Sequence, residues 1–171
     1  MFDKNKTKTS FDEGVSAYVN QDFEKAVEHF TSAIEEEPEF ALAHVSRGAA
    51  YARLEHSSES IKDFDRAIEL KPDYARAYHL RGLEFDKAGE HERALSDFNK
   101  AIELDPEYGA AYYSRASILS KTGRDENARD DIEMVAMLTQ KNINSFANEN
   151  NVWRSRHLQL EEEGVADVMD R

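Results

Sequence analysis

At 171 residues the chain has room for one domain of ordinary size or one short solenoid, and too little for two large domains that share a cleft. Its 35 acidic residues against 22 basic ones give a net charge of −13, which repels phosphate backbones and anionic lipid and removes nucleic acid as a general partner. The lack of cysteine excludes disulfide scaffolds, thiolate nucleophiles, Cys-based zinc and iron–sulfur sites and a lipidated N-terminal cysteine. No stretch nears the roughly 18 apolar residues of a membrane helix, so no membrane insertion is expected. Three prolines and seven glycines leave little turn material for an all-β fold, and helix is the expectation.

In chain order, residues 1–9 are polar and lysine-rich with no apolar period, and are expected as a flexible N-terminal segment. No apolar leader is present at the start, so a cytoplasmic location is expected. An array then spans 10–141, in units at about 7–40, 41–74, 75–108 and 109–142. Its period is set by the only three prolines, Pro38, Pro72 and Pro106, each 34 residues from the next. Before them the same block recurs: Ala26, Phe30, Ala33-Ile34; Ser60, Phe64, Ala67-Ile68; Ala94, Phe98, Ala101-Ile102. Upstream stand Gly14, Gly48, Gly82 or Ala116, each followed three residues later by Ala17, Tyr51, Phe85 or Leu119.

Intervals of three and four place Ala26, Phe30, Ala33 and Ile34 on one stripe of a 3.6-residue helix. Each unit therefore reads as two helices. The prolines disfavour α conformation in the residue before them and stop the second helix. Gly89 and Gly123 sit where a left-handed C-cap turns the chain, and Asp22, Ser57 and Asp125 are candidate caps of the next helix. One hairpin cannot bury its apolar face alone, so stacked neighbours must make the core. Gly48 and Gly82 should let helices approach, while Phe30, Phe64 and Phe98 fill the gaps between successive hairpins.

After the array, 142–171 is expected as a C-terminal capping helix and acidic tail: Phe146, Trp153 and Leu160 recur every seven residues, and Glu161 to Glu163 face water. The alternative is a switch in which this helix, or Gly164 to Met169, occupies the chain's own groove or a neighbour's.

The pattern resembles the tetratricopeptide repeats. Tyr78, Gly82, Phe85, Ala94, Phe98, Ala101 and Pro106 fill the family's positions in the third unit, with Arg81 in place of the usual Leu. His44 and Ser60 are departures in the second unit, Ser10 and Ala17 in the first, and Ile132, Val135 and the missing proline in the fourth. The resemblance implies an all-α, right-handed superhelical solenoid of four helical hairpins with a C-terminal capping helix. It implies a concave groove, lined by the first helix of every hairpin, that binds peptides of partner proteins. By position the lining is Val45, Ala49, Arg53, Arg76, His79, Leu83, Lys87, Tyr113, Ser117 and Lys121, with Phe11 and Val15. Arg53, Arg76, Lys87 and Lys121 suggest a local positive track suited to acidic or C-terminal carboxylate peptides, with Leu83 and Tyr113 as apolar anchors. Members that clamp heat-shock protein C-termini carry Lys, Asn and Arg where this chain has Phe11, Val15, Ser46, Arg76 and Leu80; only the arginine is basic, so that role is disfavoured.

Chemistry is hard to find. No Gly-x-Ser-x-Gly elbow occurs, the glycines are too dispersed to cradle phosphate, and the six histidines form no ligand pair at helical spacing. The expectation is a non-catalytic scaffold or adaptor with no cofactor and no metal, binding a protein or peptide partner. A self-assembling structural protein, homo-oligomeric through its ends or its C-terminal helix, is the alternative, and a secretion chaperone stays open. Arg47, Arg81 and Arg115 recur with Asp63, Asp97 and Asp131, which reads as a ladder of structural ion pairs or as arginines that grip a ligand carboxylate.

Overall fold

The computed structural model describes residues 4–146, and every element in that span is helical. In chain order these are α1 (Lys4–Val19), α2 (Phe23–Glu36), α3 (Ala41–Arg53), α4 (Ser57–Leu70), α5 (Ala75–Lys87), α6 (His91–Leu104), α7 (Gly109–Lys121) and α8 (125–146). Residues 4–9 form the first turns of α1, with Thr7 only 3% exposed, so the start of the chain from Lys4 onward is part of the first hairpin, not a separate lead.

Local chemistry accounts for the breaks. Glu37, Lys71 and Asp105 end α2, α4 and α6 at φ −138, −140 and −137, each N–H reaching the carbonyl of Ala33, Ala67 or Ala101. That is the extended backbone imposed on a residue preceding proline. Inside the hairpins the chain turns through the left-handed region: Gly89 (φ 77) and Gly123 (φ 74) do so without a Cβ, whereas Gln21 (φ 63) and Glu55 (φ 62) carry one. Asp22 caps α2, its carboxylate accepting from the Lys25 N–H at 3.4 Å. Ser57 does not cap α4. It is the first helical residue after His56, and its hydroxyl donates instead to Glu84. Asp125 likewise falls on the first residue of α8.

Each helix packs on the next. Phe30, Phe64 and Phe98 are 1%, 0% and 0% exposed and press against the glycine of their own hairpin. A Cβ on Gly14, Gly48 or Gly82 would lie 2.6, 2.8 or 2.6 Å from that ring. They also share clusters with the following hairpin, Phe30 with Ala50, Phe64 with Ala77 and Phe98 with Ala116, so they fill both junctions. The first helices α1, α3, α5 and α7 touch in succession, while α2, α4 and α6 do not touch one another. The second helices are splayed and the first helices gathered, which curves the solenoid with the first helices inside.

The arginine ladder brackets the splayed side. Arg47 donates to both oxygens of Asp63 at 2.7 and 2.8 Å, as Arg81 does to Asp97, while Arg115 holds Asp131 at 2.6 and 2.8 Å. Each also reaches back to the preceding second helix: Thr31 at 3.2 Å, Asp65 at 2.6 Å and Asn99 at 2.7 Å. These arginines are engaged structurally, which decides against a ligand-gripping role. Asp63 is held below the usual carboxylate range by Arg47 and His44, against the opposing effect of its burial, and Arg47, Arg81 and Arg115 are pushed up by their aspartates.

α8 continues unbroken past the expected unit end at 142 to 146. The remainder of the expected capping helix and acidic tail, including Trp153 and Leu160, lies outside the described residues.

Candidate functional site

The inner face is built from the same register positions of α1, α3, α5 and α7. Between α1, α3 and the start of α5 lies an apolar hollow of about 240 Å³, lined by Phe11, Val15, Tyr18, Phe30, Leu42, Ser46, Ala49 and Arg76. Val15 and Leu42 remain 40% and 38% exposed there, whereas Phe30 forms the buried floor. Phe11 is fixed by rings on both sides, its centroid 5.5 Å from Phe30 and 5.0 Å from Phe40. Arg76 stands at the rim, exposed, and forms no ion pair among the described residues.

Along the edge where the first helices end, Arg53 and Lys87 line a second, polar hollow of about 410 Å³ with Ala52, Glu55 and Ser57. Arg53 stacks its guanidinium 4.7 Å from the Phe23 ring. Lys87 is held by Glu84 at 2.5 Å, and Lys121 by Asp86 at 3.2 Å. The positive track expected from sequence is therefore largely neutralised at its two lysines, and Arg53 and Arg76 are its cations with no carboxylate partner among the described residues. Glu84 was not singled out by sequence. It is 2% exposed, accepting from the Ser57 hydroxyl at 2.7 Å as well as from Lys87, and ties α5 to the start of α4.

Of the expected lining, Ala49 and Arg76 meet Phe11 and Val15 in the apolar hollow, while Arg53 and Lys87 share the polar edge. Leu83 is half-buried against the core, and Tyr113 (68% exposed), Ser117 and Lys121 are open to solvent on α7. Val45 and His79 do not line the groove: they are 2% and 7% exposed. Val45 belongs to the cluster of Phe64 and Ala77. The His79 ring lies between Ser114 Oγ at 3.0 Å and the Tyr108 hydroxyl at 3.1 Å. Burial, reinforced by the Arg76 charge, pulls its pKa down to about 4. Their side chains point toward the next first helix and are covered wherever one follows. Tyr113 has no described successor and is exposed. Leu42, Ser46 and Tyr18 were missing from the expected lining; of these, only Leu42 shares the 34-residue register of an expected lining residue, Arg76.

A further hollow of about 490 Å³ opens on the splayed side between α6, α7 and α8 and is lined mainly by polar residues, including Arg115 and Asp131 of the ladder. No group of three or more His, Asp or Glu side chains able to hold a metal occurs among the described residues. No described helix is long and apolar enough to cross a membrane.

Comparison with known structures places this geometry. The crystal structure of MamA superposes with a TM-score of 0.75 at 25% identity, over 83% of each chain. MamA from Desulfovibrio magneticus RS-1 gives 0.72 at 22% identity over 81% of this chain and 78% of that one. The first TPR domain of Spaghetti (RPAP3), bound to an HSP90 peptide, gives 0.68 at 22% identity over 71% of this chain and 96% of that one. No curated protein matches the sequence. Three tetratricopeptide-repeat family models match residues 11–77, 75–108 and 98–130, together reaching from the first hairpin into the fourth. The chain belongs to the tetratricopeptide-repeat family.

Proposed function

We propose that this protein is a non-catalytic scaffold or adaptor whose inner face holds a peptide segment of a partner protein. The observation that carries the reading is the apolar hollow between α1, α3 and α5, with an arginine at its rim that has no ion-pair partner among the described residues. Such a site suits a peptide that presents an apolar side chain beside a carboxylate, the first buried as an anchor and the second drawn to Arg76. The hollow is walled by helices that pack on both neighbours, so binding does not have to order the receptor. A structural neighbour of the same fold, the RPAP3 domain, carries an HSP90 peptide, which supports peptide binding as a use of this fold. The partner class differs here, because Phe11 and Val15 make the first hairpin apolar where heat-shock clamps are basic.

The test compares wild type with Ala49→Asp plus Arg76→Glu in affinity capture from source lysate, with circular dichroism confirming that the variant stays helical. Loss of the captured proteins is expected, and identical capture by both would sink the groove reading. Association through the ends is a second reading, favoured by Ile132 and Ile143, which stay 56% and 55% exposed on α8. Light scattering across concentration tests it: a particle mass independent of dilution rules it out.

A further inference from the structure

We infer that the acidic segment from Glu161 to Asp170 of this same chain competes for the inner face, seating in the apolar hollow beside Arg76. The inference rests on the groove reading and names a ligand for it. Charge complementarity is the first argument. The molecule has 35 acidic residues and a net charge of −13, yet the rim of its apolar hollow carries an arginine with no carboxylate partner among the described residues. An unbalanced cation in so acidic a protein concentrates a negatively charged segment there. Glu161, Glu162, Glu163, Asp167 and Asp170 supply the charge, and Val165, Val168 and Met169, interleaved with them, supply apolar side chains for Phe11, Val15 and Leu42.

Reach is the second argument. Glu161 lies 15 residues beyond Phe146, a contour of up to about 50 Å. The last turns of α8 lie beside the start of α7, where Lys141 pairs with Glu107, and from there the hollow is two first-helix spacings away at α3, about 20 Å when packed helices lie 8–10 Å apart. A tether of that length holds the segment near the hollow at an effective concentration on the order of 1 mM, so a weak contact suffices to occupy the site and a partner must displace it.

The test uses the full-length chain and a fluorescein-labelled peptide of sequence EEEGVADVMD added in trans, read by anisotropy. Three proteins are compared: wild type, a tail variant carrying Glu161→Lys, Glu162→Lys and Glu163→Lys, and that variant with Arg76→Glu added. The tail variant is expected to bind the peptide about tenfold more tightly than wild type, because its own segment no longer competes, and Arg76→Glu is expected to remove that binding. Equal affinity in wild type and tail variant overturns the inference, as does failure of both to bind. An apparent affinity of wild type that rises on dilution of the protein assigns the occupant to a second copy and overturns the intramolecular form. Binding of the tail variant that ignores Arg76→Glu places the contact elsewhere. None of these results bears on the lysate capture above, so the groove can lose this ligand and keep its function, or the reverse.

Discussion

The first hairpin and the three that follow share a 34-residue register, but not the interactions written on it. Where α3, α5 and α7 carry Arg47, Arg81 and Arg115, α1 has Glu13; where α4, α6 and α8 carry Asp63, Asp97 and Asp131, α2 has His29. The rung is inverted in sign and weaker in form: one contact, His29 Nδ1 to Glu13 Oε2 at 3.2 Å, with side chains 36% and 54% exposed. In the later hairpins each guanidinium forks onto an aspartate 5% to 7% exposed and reaches one helix further back. The reason is positional. An arginine here can bridge two second helices only if a second helix precedes it, and no second helix precedes α1 among the described residues. Val15 and Tyr18 of α1 also wall the apolar hollow, so the less tightly bracketed hairpin contributes to the open part of the inner face.

The sharpest way to break this contrast is in the core. Phe64→Ala removes a ring packed on both sides, and a loss of about 3–5 kcal/mol is expected in urea unfolding. Phe30→Ala should fall at the low end, about 3 kcal/mol, because one side of Phe30 already borders the hollow. Ile132 holds the same register position in α8 but is 56% exposed, and Ile132→Ala should change stability by under about 1 kcal/mol. If Phe30 and Ile132 prove as sensitive as Phe64, the graded picture from ends to middle is wrong.

The ladder gives the next largest effect. Asp97→Ala strips the partner from Arg81 within a largely desolvated pair and should cost about 3 kcal/mol, whereas Glu13→Ala in the first hairpin should cost at most about 1 kcal/mol. A double-mutant cycle on Arg81 and Asp97 against one on Glu13 and His29 measures the couplings directly. Comparable couplings would mean that the bracket does no more than a surface pair.

Acid sharpens the contrast further. His79 lies at about 4 in the folded chain against an ordinary 6.5, because burial disfavours its charged form. A folded pKa below the unfolded one means that the unfolded chain takes the proton first as pH falls. The stability that neutral His79 contributes is fully present above about 6.5 and drains away between about 6.5 and about 4. The melting temperature should decline through that window, and His79→Gln, which keeps a hydrogen-bonding side chain without the titration, should flatten the decline. A profile unchanged by the substitution would assign the acid sensitivity elsewhere.

Much of this was legible in the residues alone, and the parts that were not share a cause. Recurrence at 34 located the helices, the glycine–phenylalanine contacts and the Arg–Asp pairs, because these are interactions within one hairpin and three of the four hairpins repeat each of them. Recurrence failed where the neighbour matters. Val45, His79 and Tyr113 occupy one register position, yet the first two are buried by the hairpin that follows and the third is not. Lys87 and Lys121 looked like free cations of a track until Glu84 and Asp86, which repeat nowhere else in the register, proved to hold them. The apolar hollow depends on α1, α3 and α5 together, and no single unit displays it.

The smallest predicted effect isolates backbone from packing. The turn inside each hairpin passes through the left-handed region, and the last two use Gly89 and Gly123 while the first two use Gln21 and Glu55. A side chain at that conformation costs about 1 kcal/mol, part of which glycine returns through the greater freedom of its unfolded chain. Gln21→Gly and Glu55→Gly should therefore stabilise the protein by a few tenths to about 1 kcal/mol, and Gly89→Ala should destabilise it by about 1 kcal/mol. Nothing lies within 4 Å of a Cβ built on Gly89 or Gly123, so a loss on adding one cannot be blamed on a clash. Thermal melts of the three variants decide the matter. If Glu55→Gly lowers the melting point, then the Glu55 side chain does something at that turn that outweighs its backbone strain, and the two early turns are kept for a reason other than tolerance.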